Sequence, residues 1–347
     1  MQHCTSHHPT PSADVADDER TLMTIPLAVT TGDPAGVGPE LIVRLLDELR
    51  GSAADPLVVV SSREELAEGL ERSGLAVALD GILEPGRVRL VEPAGSWPSA
   101  RGAVSAASGR WALACLERGL ELHAAGEIGG LVFGPLNKTS LHEAGMTEPD
   151  EMRWFENRLT GSHTASEVNV TTSFWTSRVT SHVALREVAD LVTSDRVLES
   201  IVLLHDLLVG AGTPAPRIAV CALNPHAGEH GLFGDEEITR IRPGVERAVA
   251  SGLDAAGPFP CDTLFRRGFD GSFDGIVTMY HDQGQIALKT RAFNGGVTLE
   301  AGLDLPICTP AHGTAFDIVG TGAATLDSTR NAYRLARRLA SAGVSAH

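Results

Sequence analysis

The fold of this chain is decided by residues 276–289, whose sequence is IVTMYHDQGQIALK. The segment begins with Ile276–Met279, a short apolar run typical of a buried strand, and a polar segment follows it directly. In open α/β sheets, ligand-binding residues lie at the carboxyl ends of the strands. We therefore expect an α/β fold in which His281, Asp282 and Lys289 lie near a cleft.

The same pattern, an apolar run followed by a polar cluster, recurs along the chain. The predicted strands are Ile25–Val29, Pro56–Ser61, Gly129–Leu136, Glu167–Thr172, Arg178–Leu185 and Arg217–Leu223. Segments with helical periodicity separate most of them. Alternating strands and helices are typical of a doubly wound sheet with mixed or mostly parallel strands, and they argue against a β-sandwich.

Composition and charge exclude several classes of protein. The net charge of −16 argues against a nucleic-acid partner, because phosphate binding requires a basic surface. No apolar run reaches the roughly 18 residues of a membrane span. The five scattered cysteines favour free thiols in a reducing cytoplasm. Residues 1–22 are polar and lack the apolar core of a signal peptide, so we interpret them as a disordered extension.

Three predicted strands lead into polar clusters that contain a histidine, namely His182, His226 and His281. Neutral imidazole is a common metal ligand, and three imidazoles leave positions open for a substrate oxygen. A metal on a hydroxyl oxygen would lower the hydroxyl pKa and favour loss of hydride from the carbon. The spacing matches no local zinc motif, so three hydrogen-bonded loop histidines are the alternative.

Two other segments have both a structural and a functional interpretation. Lys138 follows the strand predicted at Gly129–Leu136, where a lysine is either catalytic or a surface side chain. The glycine-rich turn Thr30–Glu40 joins a strand to a helix but matches neither GxGxxG nor the Walker A pattern. Its glycines permit either close backbone packing or ligand binding.

Taken together, these segments resemble the PdxA family, the 4-hydroxythreonine-4-phosphate dehydrogenases and their relatives. The matches occur in the family's order and cover nearly all of residues 25–342. The matching segments are TTGDPAGVGPE (30–40), GPLNK (134–138), SHVALREV (181–188), LNPHAGEHGLFGDEE (223–237), GPFPCDTLF (257–265), MYHDQGQIALK (279–289) and HGTAFDIVGTGAA (312–324).

The resemblance implies the two-domain α/β fold of the isocitrate and isopropylmalate dehydrogenases, with mixed sheets, a central cleft and a homodimeric assembly whose subunits share the active site. Residues 23–130 together with 292–345 are expected to form a first domain that carries the cofactor loop. Residues 131–291 are expected to form a second domain, which carries the metal ligands and the dimer interface.

The resemblance also implies roles for individual residues. His182, His226 and His281 correspond to metal ligands, with His281 completing a site formed by the other subunit's His182 and His226. Lys289 corresponds to a substrate contact. The expected cofactor-binding residues are His312, Gly313, Ala315, Asp317 and Gly320.

Acid–base and orienting work is expected from Lys138, Asp262 and Asp282. Asp282 has an alternative role as a support for the metal-binding histidines. Family chemistry is oxidation of a secondary alcohol by NAD or NADP; in the type reaction, decarboxylation follows. One divalent ion is implied: three imidazoles suit zinc, and cobalt, nickel, manganese and magnesium are the alternatives.

The chain departs from the family where the substrate binds. The family's His-Thr pair is replaced within Glu151–Arg153, its substrate asparagine falls at Thr298, and its arginine falls at Ile307. Loss of the arginine removes a fork of donors suited to an anionic group. Arg153 either restores such a contact or lies in solvent. We expect Glu151, Arg153 and Thr298 to contact the substrate together with Lys289.

These observations predict a metal-dependent NAD(P) oxidoreductase acting on a small hydroxy acid or a dihydrodiol carboxylate that lacks the usual phosphate. One alternative is 4-hydroxythreonine-4-phosphate dehydrogenase, an enzyme of pyridoxal phosphate biosynthesis. Another is a non-catalytic relative that binds a metabolite in the same cleft.

Overall fold

The computed structural model describes residues 25–51, 56–99, 101–159, 165–291 and 295–343. The extension expected at residues 1–22 lies outside the described residues. The strands are β1 (Leu27–Thr30), β2 (Leu57–Val60), β3 (Val88–Val91), β4 (Gly130–Phe133), β5 (Ser166–Val170), β6 (Trp175–Arg178), β7 (Ile218–Cys221), β8 (Ala255–Phe259), β9 (Gly275–Thr278), β10 (Val297–Ala301) and β11 (Ile307–Pro310).

These strands form one mixed sheet in the order β3-β2-β1-β4-β11-β10-β5-β6-β9-β7-β8. The strands from β3 to β11 pair in parallel, and so do those from β6 to β8. The central strands β10 and β5 pair antiparallel with each other and with both flanking strands. Two parallel halves therefore meet at an antiparallel centre, which confirms the predicted mixed α/β fold.

The helices lie between the strands along the chain. They are α1 (Gly38–Glu48), α2 (Arg63–Ser73), α3 (Leu79–Ile82), α4 (Ala106–Ala124), α5 (Lys138–Glu143), α6 (Glu151–Glu156), α7 (Leu185–Leu191), α8 (Ser194–Gly210), α9 (Arg242–Ala250), α10 (Cys261–Phe269), α11 (His281–Arg291) and α12 (Asp327–Ser341). None of the described helices is long and apolar enough to cross a bilayer.

Side-chain caps fix where the helices beside the sheet centre begin. Asn137 accepts a hydrogen bond from the backbone of Ser140 and starts α5, and Asp150 does the same for α6 through the backbone of Arg153. Such caps satisfy backbone N–H groups that have no partner in the first helical turn. Lys138 and Glu151 thereby become the first residues of their helices.

The first parallel half is buried on both faces. Leu27 and Val29 of β1 pack into one apolar cluster, whereas Ala28 between them packs into another. Burial on both faces is typical of parallel sheets covered by helices, and it explains the continuous apolar runs that predicted these strands.

The domain boundary predicted between residues 130 and 131 is not tested by the structure and stays a prediction. The predicted boundary falls within β4, which pairs with β1 and β11 of the first half. Leu141 of α5 and Trp154 of α6 share an apolar cluster with Leu131 of β4. These packing contacts tie residues up to α6 to the first half of the sheet.

The strand predicted at Arg178–Leu185 is wrong. β6 ends at Arg178, and α7 begins at Leu185. Backbone pairing continues only to Thr180, whose N–H donates to the Met279 carbonyl across 3.2 Å. His182 then adopts a positive φ of 50°, which turns the chain out of the sheet.

Candidate active site

A cavity of about 310 Å³ opens at the antiparallel centre of the sheet, where the two halves meet. Most of the residues predicted to bind substrate, metal or cofactor contribute to its lining. The predicted residues among them are Lys138, Glu151, His182, His281, Lys289, Thr298, His312 and Gly313. Concave sites with a few convergent polar groups are typical ligand-binding sites.

The floor of the cavity is built from three neighbouring strands. Thr298 of β10 stands between Asn169 of β5 and Thr309 of β11 in the register of the sheet. Asn169 donates to the Thr298 hydroxyl across 3.3 Å and accepts from Gln285 of α11 across 2.5 Å. These bonds join α11, which carries Lys289, to the floor.

Two of the three predicted metal ligands come together in this chain. The rings of His182 and His281 are 5.5 Å apart between centroids, on the wall of the cavity. Nδ1 of His182 donates to Asp150 across 2.5 Å, and Nδ1 of His281 donates to Asp282 across 2.7 Å. A carboxylate on Nδ1 orients an imidazole and leaves Nε2 for a metal, so this donor set fits part of a metal site.

The contact with Asp150 changes the proton affinity of both partners. Burial opposes ionisation of Asp150, but hydrogen bonds from His182 and from the backbone of Arg153 outweigh it and lower the Asp150 pKa to about 2. The hydrogen bond to Asp150 raises the pKa of His182, against the effect of partial burial. Asp150 is therefore a carboxylate that both starts α6 and holds His182.

The third predicted ligand, His226, is not among the residues that line the cavity. It lies in the segment Pro225–Gly231, where the residues from His226 to His230 all have positive φ angles between 41° and 76°. Glu237 holds the start of this left-handed turn by accepting from the backbone N–H groups of Leu223 and Asn224. Within the described residues, no three potential ligands lie close enough to hold a metal ion.

Left-handed backbone costs about 1–2 kcal/mol for each residue other than glycine. Four such residues occur in the turn, namely His226, Ala227, Glu229 and His230. Strain of this kind concentrates at functional sites. The turn is therefore consistent with a functional role for His226 outside the main cavity of its own chain.

Lys138 and Glu151 stand together on the cavity wall. Their Nζ and Oε2 atoms are 3.8 Å apart, and Lys138 is half exposed whereas Glu151 is mostly buried. Burial raises the pKa of Glu151, and the charge of Lys138 partly offsets that rise. The Glu151 Oε2 atom has no hydrogen-bond partner in the described structure. Lys138 can therefore donate a hydrogen bond to a bound ligand, and Glu151 can accept one.

Three other predicted residues lie outside the lining of the main cavity. Asp282 is largely exposed and contacts His281, an arrangement that matches its alternative role as a support for a metal ligand. Asp262 is exposed in the first turn of α10. Arg153 pairs with Glu156 and lines two smaller neighbouring cavities.

The predicted cofactor loop is held by hydrogen bonds with the glycine-rich turn Thr30–Glu40 and the helix that follows it. The N–H of Val37 donates to the Thr314 carbonyl across 3.0 Å, and the N–H of Gly320 donates to the Glu40 carboxylate across 2.8 Å. A Cβ on Gly36 would lie 2.8 Å from the Thr314 oxygen. The contacts of the turn in this structure are thus packing contacts. His312 and Gly313 line the cavity, and Ala315, Asp317 and Gly320 lie farther along the loop.

Sequence reasoning missed several polar residues of the cavity. They include Asp150, Glu167, Asn169, Gln285 and Glu300, of which all but Asp150 line the main cavity. The clearest available signal was Glu300, a single charged residue within the apolar run VTLEA of β10.

Comparison with known proteins finds a family model and several named relatives that match this chain. A family model described as pyridoxal phosphate biosynthetic protein PdxA matches residues 53–336. A Pseudomonas aeruginosa protein, provisionally named 4-hydroxythreonine-4-phosphate dehydrogenase 2, is 45% identical over 90% of this chain and 96% of its own length. The D-threonate 4-phosphate dehydrogenase of Pectobacterium atrosepticum is 39% identical over 90% of this chain and 99% of its own.

Solved structures show the same fold. A 4-hydroxythreonine-4-phosphate dehydrogenase from Klebsiella pneumoniae has a TM-score of 0.76 and 36% identity, covering 92% of this chain and 98% of that one. A terephthalate 1,2-cis-dihydrodiol dehydrogenase from Burkholderia xenovorans has a TM-score of 0.64 and 25% identity, covering 90% and 98%.

Proposed function

This chain belongs to the PdxA family of NAD(P)-dependent alcohol dehydrogenases, and we propose that its substrate is a small hydroxy acid that carries a phosphate at the far end. Two of its relatives are named for phosphorylated substrates, 4-hydroxythreonine 4-phosphate and D-threonate 4-phosphate. These names favour the alternative of a phosphorylated substrate over the sequence-based expectation of a substrate without phosphate.

The observation that carries the proposal is the convergence of groups on one cavity. The imidazole pair of His182 and His281, the ammonium group of Lys289 and the loop residues His312 and Gly313 all line it. Oxidation of an alcohol by NAD(P) requires the reacting carbon, a group that takes the hydroxyl proton and the cofactor to meet in one place. The cavity brings groups suited to each of these tasks together.

His182 and His281 would hold the divalent ion, and Asp150 and Asp282 fix the orientation of their rings. When bound, such an ion supplies positive charge beside the reacting hydroxyl group. Lys138 and Glu151 are the groups that can take up the proton of the reacting hydroxyl group and pass it on, because they form a close pair on the cavity wall. Lys289 supplies a point charge for the anionic end of the substrate.

The position of the histidines supports a homodimer with a shared site. An exposed apolar side chain follows each of them within a few residues of the chain, and these three, Leu185, Leu232 and Ile286, are each more than 60% exposed. A second copy that covers this surface would bring its own His226 to the pair formed by His182 and His281. This grouping differs from the expected one, in which His281 alone comes from the other subunit.

The test is reduction of NAD and NADP by the zinc-loaded protein with D-threonate 4-phosphate, 4-phosphohydroxythreonine and the same acids without phosphate. We expect turnover of a phosphorylated acid at roughly 100-fold higher kcat/KM than its unphosphorylated form, because Lys289 gains an ionic contact. Equal or better turnover of the unphosphorylated acids would overturn the proposed phosphate.

A substrate without phosphate is a second candidate, favoured by one specific feature. Ile307 is fully buried in the apolar cluster that holds Leu131 and Leu305, and among the described residues no arginine lines the main cavity. The relative named as a dihydrodiol dehydrogenase shares the fold. The same assay, extended to a cis-dihydrodiol carboxylate, separates the two candidates.

A further inference from the structure

Asn169 lines the floor of the cavity, on β5 directly opposite Thr298 of β10. Its side-chain oxygen Oδ1 accepts from Nη2 of Arg178 across 3.3 Å and from Nε2 of Gln285 across 2.5 Å. Its nitrogen Nδ2 donates to the Thr298 hydroxyl across 3.3 Å. Three neighbouring side chains therefore hold this one amide group.

The chemistry of these partners fixes which way the amide of Asn169 points. A guanidinium group has donors only, so the amide atom that faces Arg178 must be the oxygen. That oxygen has two lone pairs, and Arg178 and Gln285 occupy both. Thr298 takes one of the two N–H groups of Nδ2, and the other is left for a ligand. Toward the cavity, Asn169 can therefore donate a hydrogen bond but not accept one.

Arg178 is itself held in place. It is the last residue of β6, only 6% of its surface is exposed, and Nη2 also donates to Glu167 across 2.5 Å. A buried ion pair in the sheet leaves the guanidinium group little freedom to follow Asn169. Turning the amide over would therefore place two donors against each other, which leaves both unsatisfied in a buried site.

Two further donors stand beside Asn169 in the cavity. The Thr298 oxygen accepts from Asn169, so its own hydrogen is available to a ligand. Lys289 lies one helical turn after Gln285 on α11, on the same face of the helix, and lines the same cavity. We call Asn169, Thr298 and Lys289 the donor patch.

Nearby carboxyl groups do not cancel the donor patch. Glu167 is paired with Arg178. Glu300 follows Thr298 by two residues on the same face of β10, which places it about 7 Å farther along the strand. Burial, and then the charges of neighbouring carboxylates, raise the pKa of Glu300 well above its ordinary value, which favours its neutral form.

An amide N–H, a hydroxyl group and an ammonium group side by side select for acceptors. A ligand ammonium group has donors only and would leave all three unsatisfied. The oxygens of a carboxylate or a phosphate accept several hydrogen bonds each, and charge strengthens those bonds. A phosphorylated hydroxy acid carries such oxygens at both of its ends.

We propose that Asn169 is a specificity residue that donates to an anionic oxygen of the substrate, and that Arg178 is the positioning residue that keeps its amide in this orientation. The inference rests on the proposed function, because it places the substrate in this cavity. It extends that function by assigning the anionic end of the substrate to the donor patch.

The experiment is calorimetric binding of three ligands to the zinc-loaded protein in the presence of NADH. The ligands are D-threonate 4-phosphate, D-threonate, and the phosphorylated compound with its carboxylate replaced by a carboxamide. Asn169→Asp keeps the size of the side chain and turns the donor into a carboxylate oxygen. We expect it to weaken two of the ligands at least roughly 100-fold and to leave the third unchanged, because like charges then meet at the patch.

The ligand that stays unchanged identifies the group bound at the patch. Weakening of both phosphorylated ligands, with D-threonate unchanged, places the phosphate there. Weakening of both carboxylates, with the carboxamide unchanged, places the carboxylate there. Equal weakening of all three would indicate a purely structural role and overturn the proposal, as would unchanged binding of all three or no binding of any to the wild type.

Asn157→Asp is the matched control. It adds the same charge at an exposed residue that ends α6, and it should bind all three ligands like the wild type. If this variant reproduces the pattern of Asn169→Asp, the effect comes from net charge and the proposal is wrong.

Arg178→Lys tests the positioning role. Lysine keeps a positive charge beside Glu167 but lacks the planar fork that also reaches Asn169. We expect roughly 10-fold weaker binding of the same two ligands that Asn169→Asp affects, because the amide loses part of its orientation. A change that is equal for all three ligands, or no change, would exclude this role for Arg178.

Binding and turnover can fail separately. If Asn169→Asp shows the selective loss of binding but the wild type reduces no cofactor with any of the ligands, the proposed oxidation is wrong and the inference stands. If the wild type oxidises the phosphorylated acid and Asn169→Asp does so with an unchanged KM, the inference is wrong and the proposed oxidation stands.

Discussion

Asp150 performs two tasks with its two carboxylate oxygens. One accepts from the backbone N–H of Arg153 and starts α6, and the other accepts from Nδ1 of His182. The first contact stabilises the helix, and the second orients an imidazole that we propose as a metal ligand. Substitutions that keep one contact and remove the other separate the two tasks.

We expect Asp150→Ser to lower zinc affinity about 10- to 100-fold, because His182 loses its orienting partner. The thermal midpoint should stay near that of the wild type, because serine remains a good cap, whereas Asp150→Ala should cost a further ~1 kcal/mol. Zinc titration by calorimetry and thermal unfolding measure the two effects. Unchanged zinc affinity in Asp150→Ser would show that His182 is not a ligand or needs no orientation.

Glu300 is expected to reduce the stability of the folded protein at neutral pH. Its pKa is raised in the folded state, so the folded state holds a proton that the unfolded chain releases once the pH exceeds the ordinary glutamate value of about 4.3. The contribution of Glu300 to stability is therefore fully present below that pH and is lost as the pH rises toward the folded-state pKa.

Glu300→Met removes this titration while keeping the length of the side chain. We expect the variant to be more stable than the wild type by about 1–3 kcal/mol near pH 8, with the difference shrinking toward pH 4. Urea unfolding of both proteins across this range gives the measurement. A difference that does not vary with pH would mean that Glu300 titrates normally in the folded protein.

At the scale of the element, the left-handed turn Pro225–Gly231 is the most strained part of the described backbone around the histidines. Ala227 has φ 55° and ψ 43°, which glycine adopts without penalty. The hydrogen bonds from Leu223 and Asn224 to Glu237 hold the entry to this turn, so the surrounding structure maintains the strain.

We therefore expect Ala227→Gly to stabilise the fold by up to ~1 kcal/mol, because strain relief exceeds the added freedom of the unfolded chain. Ala248→Gly is the matched control: it lies in α9, where glycine should destabilise by at least ~1 kcal/mol. Urea unfolding midpoints compare the two variants. Destabilisation by both would contradict the left-handed conformation at Ala227.

Much of the element structure could be predicted from local patterns. The buried strands β1, β2, β4, β7 and β9 follow from continuous apolar runs, because parallel strands are covered on both faces. β3, β6, β8, β10 and β11 were not predicted. β8 contains Gly257 and Pro258, and β10 contains Glu300, so neither shows the uninterrupted apolar pattern of a buried strand.

At the scale of the whole molecule, the grouping of the histidines is testable by mixing inactive subunits. With His182 and His281 in one chain and His226 from the other, dimers formed from His226→Ala and His281→Ala subunits contain one intact site. Random mixing should restore about a quarter of wild-type activity, since half of the dimers are mixed and each has one of two sites.

Mixing His182→Ala with His281→Ala subunits is the matched control. No activity should return, because both residues are needed in the same chain. Dehydrogenase activity after denaturation and refolding of the mixture provides the measurement. Recovery in this control would support the grouping expected from sequence, and failure of both mixtures would exclude a shared site.

The sequence by itself determined the α/β class, the family and many of the residues that line the main cavity. Three features can be recognised within a single segment of sequence, because each depends on local residue order. They are strands with uniform burial, glycine turns with close backbone contacts, and polar clusters after strands. His281 and Lys289 could therefore be found in residues 276–289 alone, and the loop residues His312 and Gly313 could be found from the family pattern.

Only the tertiary structure decided which side chains meet. The pairing of His182 with His281, the contact of Asp150 with His182, and the position of Glu300 between Glu167 and Ile307 join segments far apart in the chain. Strand order and register set these contacts, and a shift of one residue would turn each side chain to the opposite face of the sheet. Local sequence patterns do not encode that register, so the specificity of the cavity emerged only from the folded sheet.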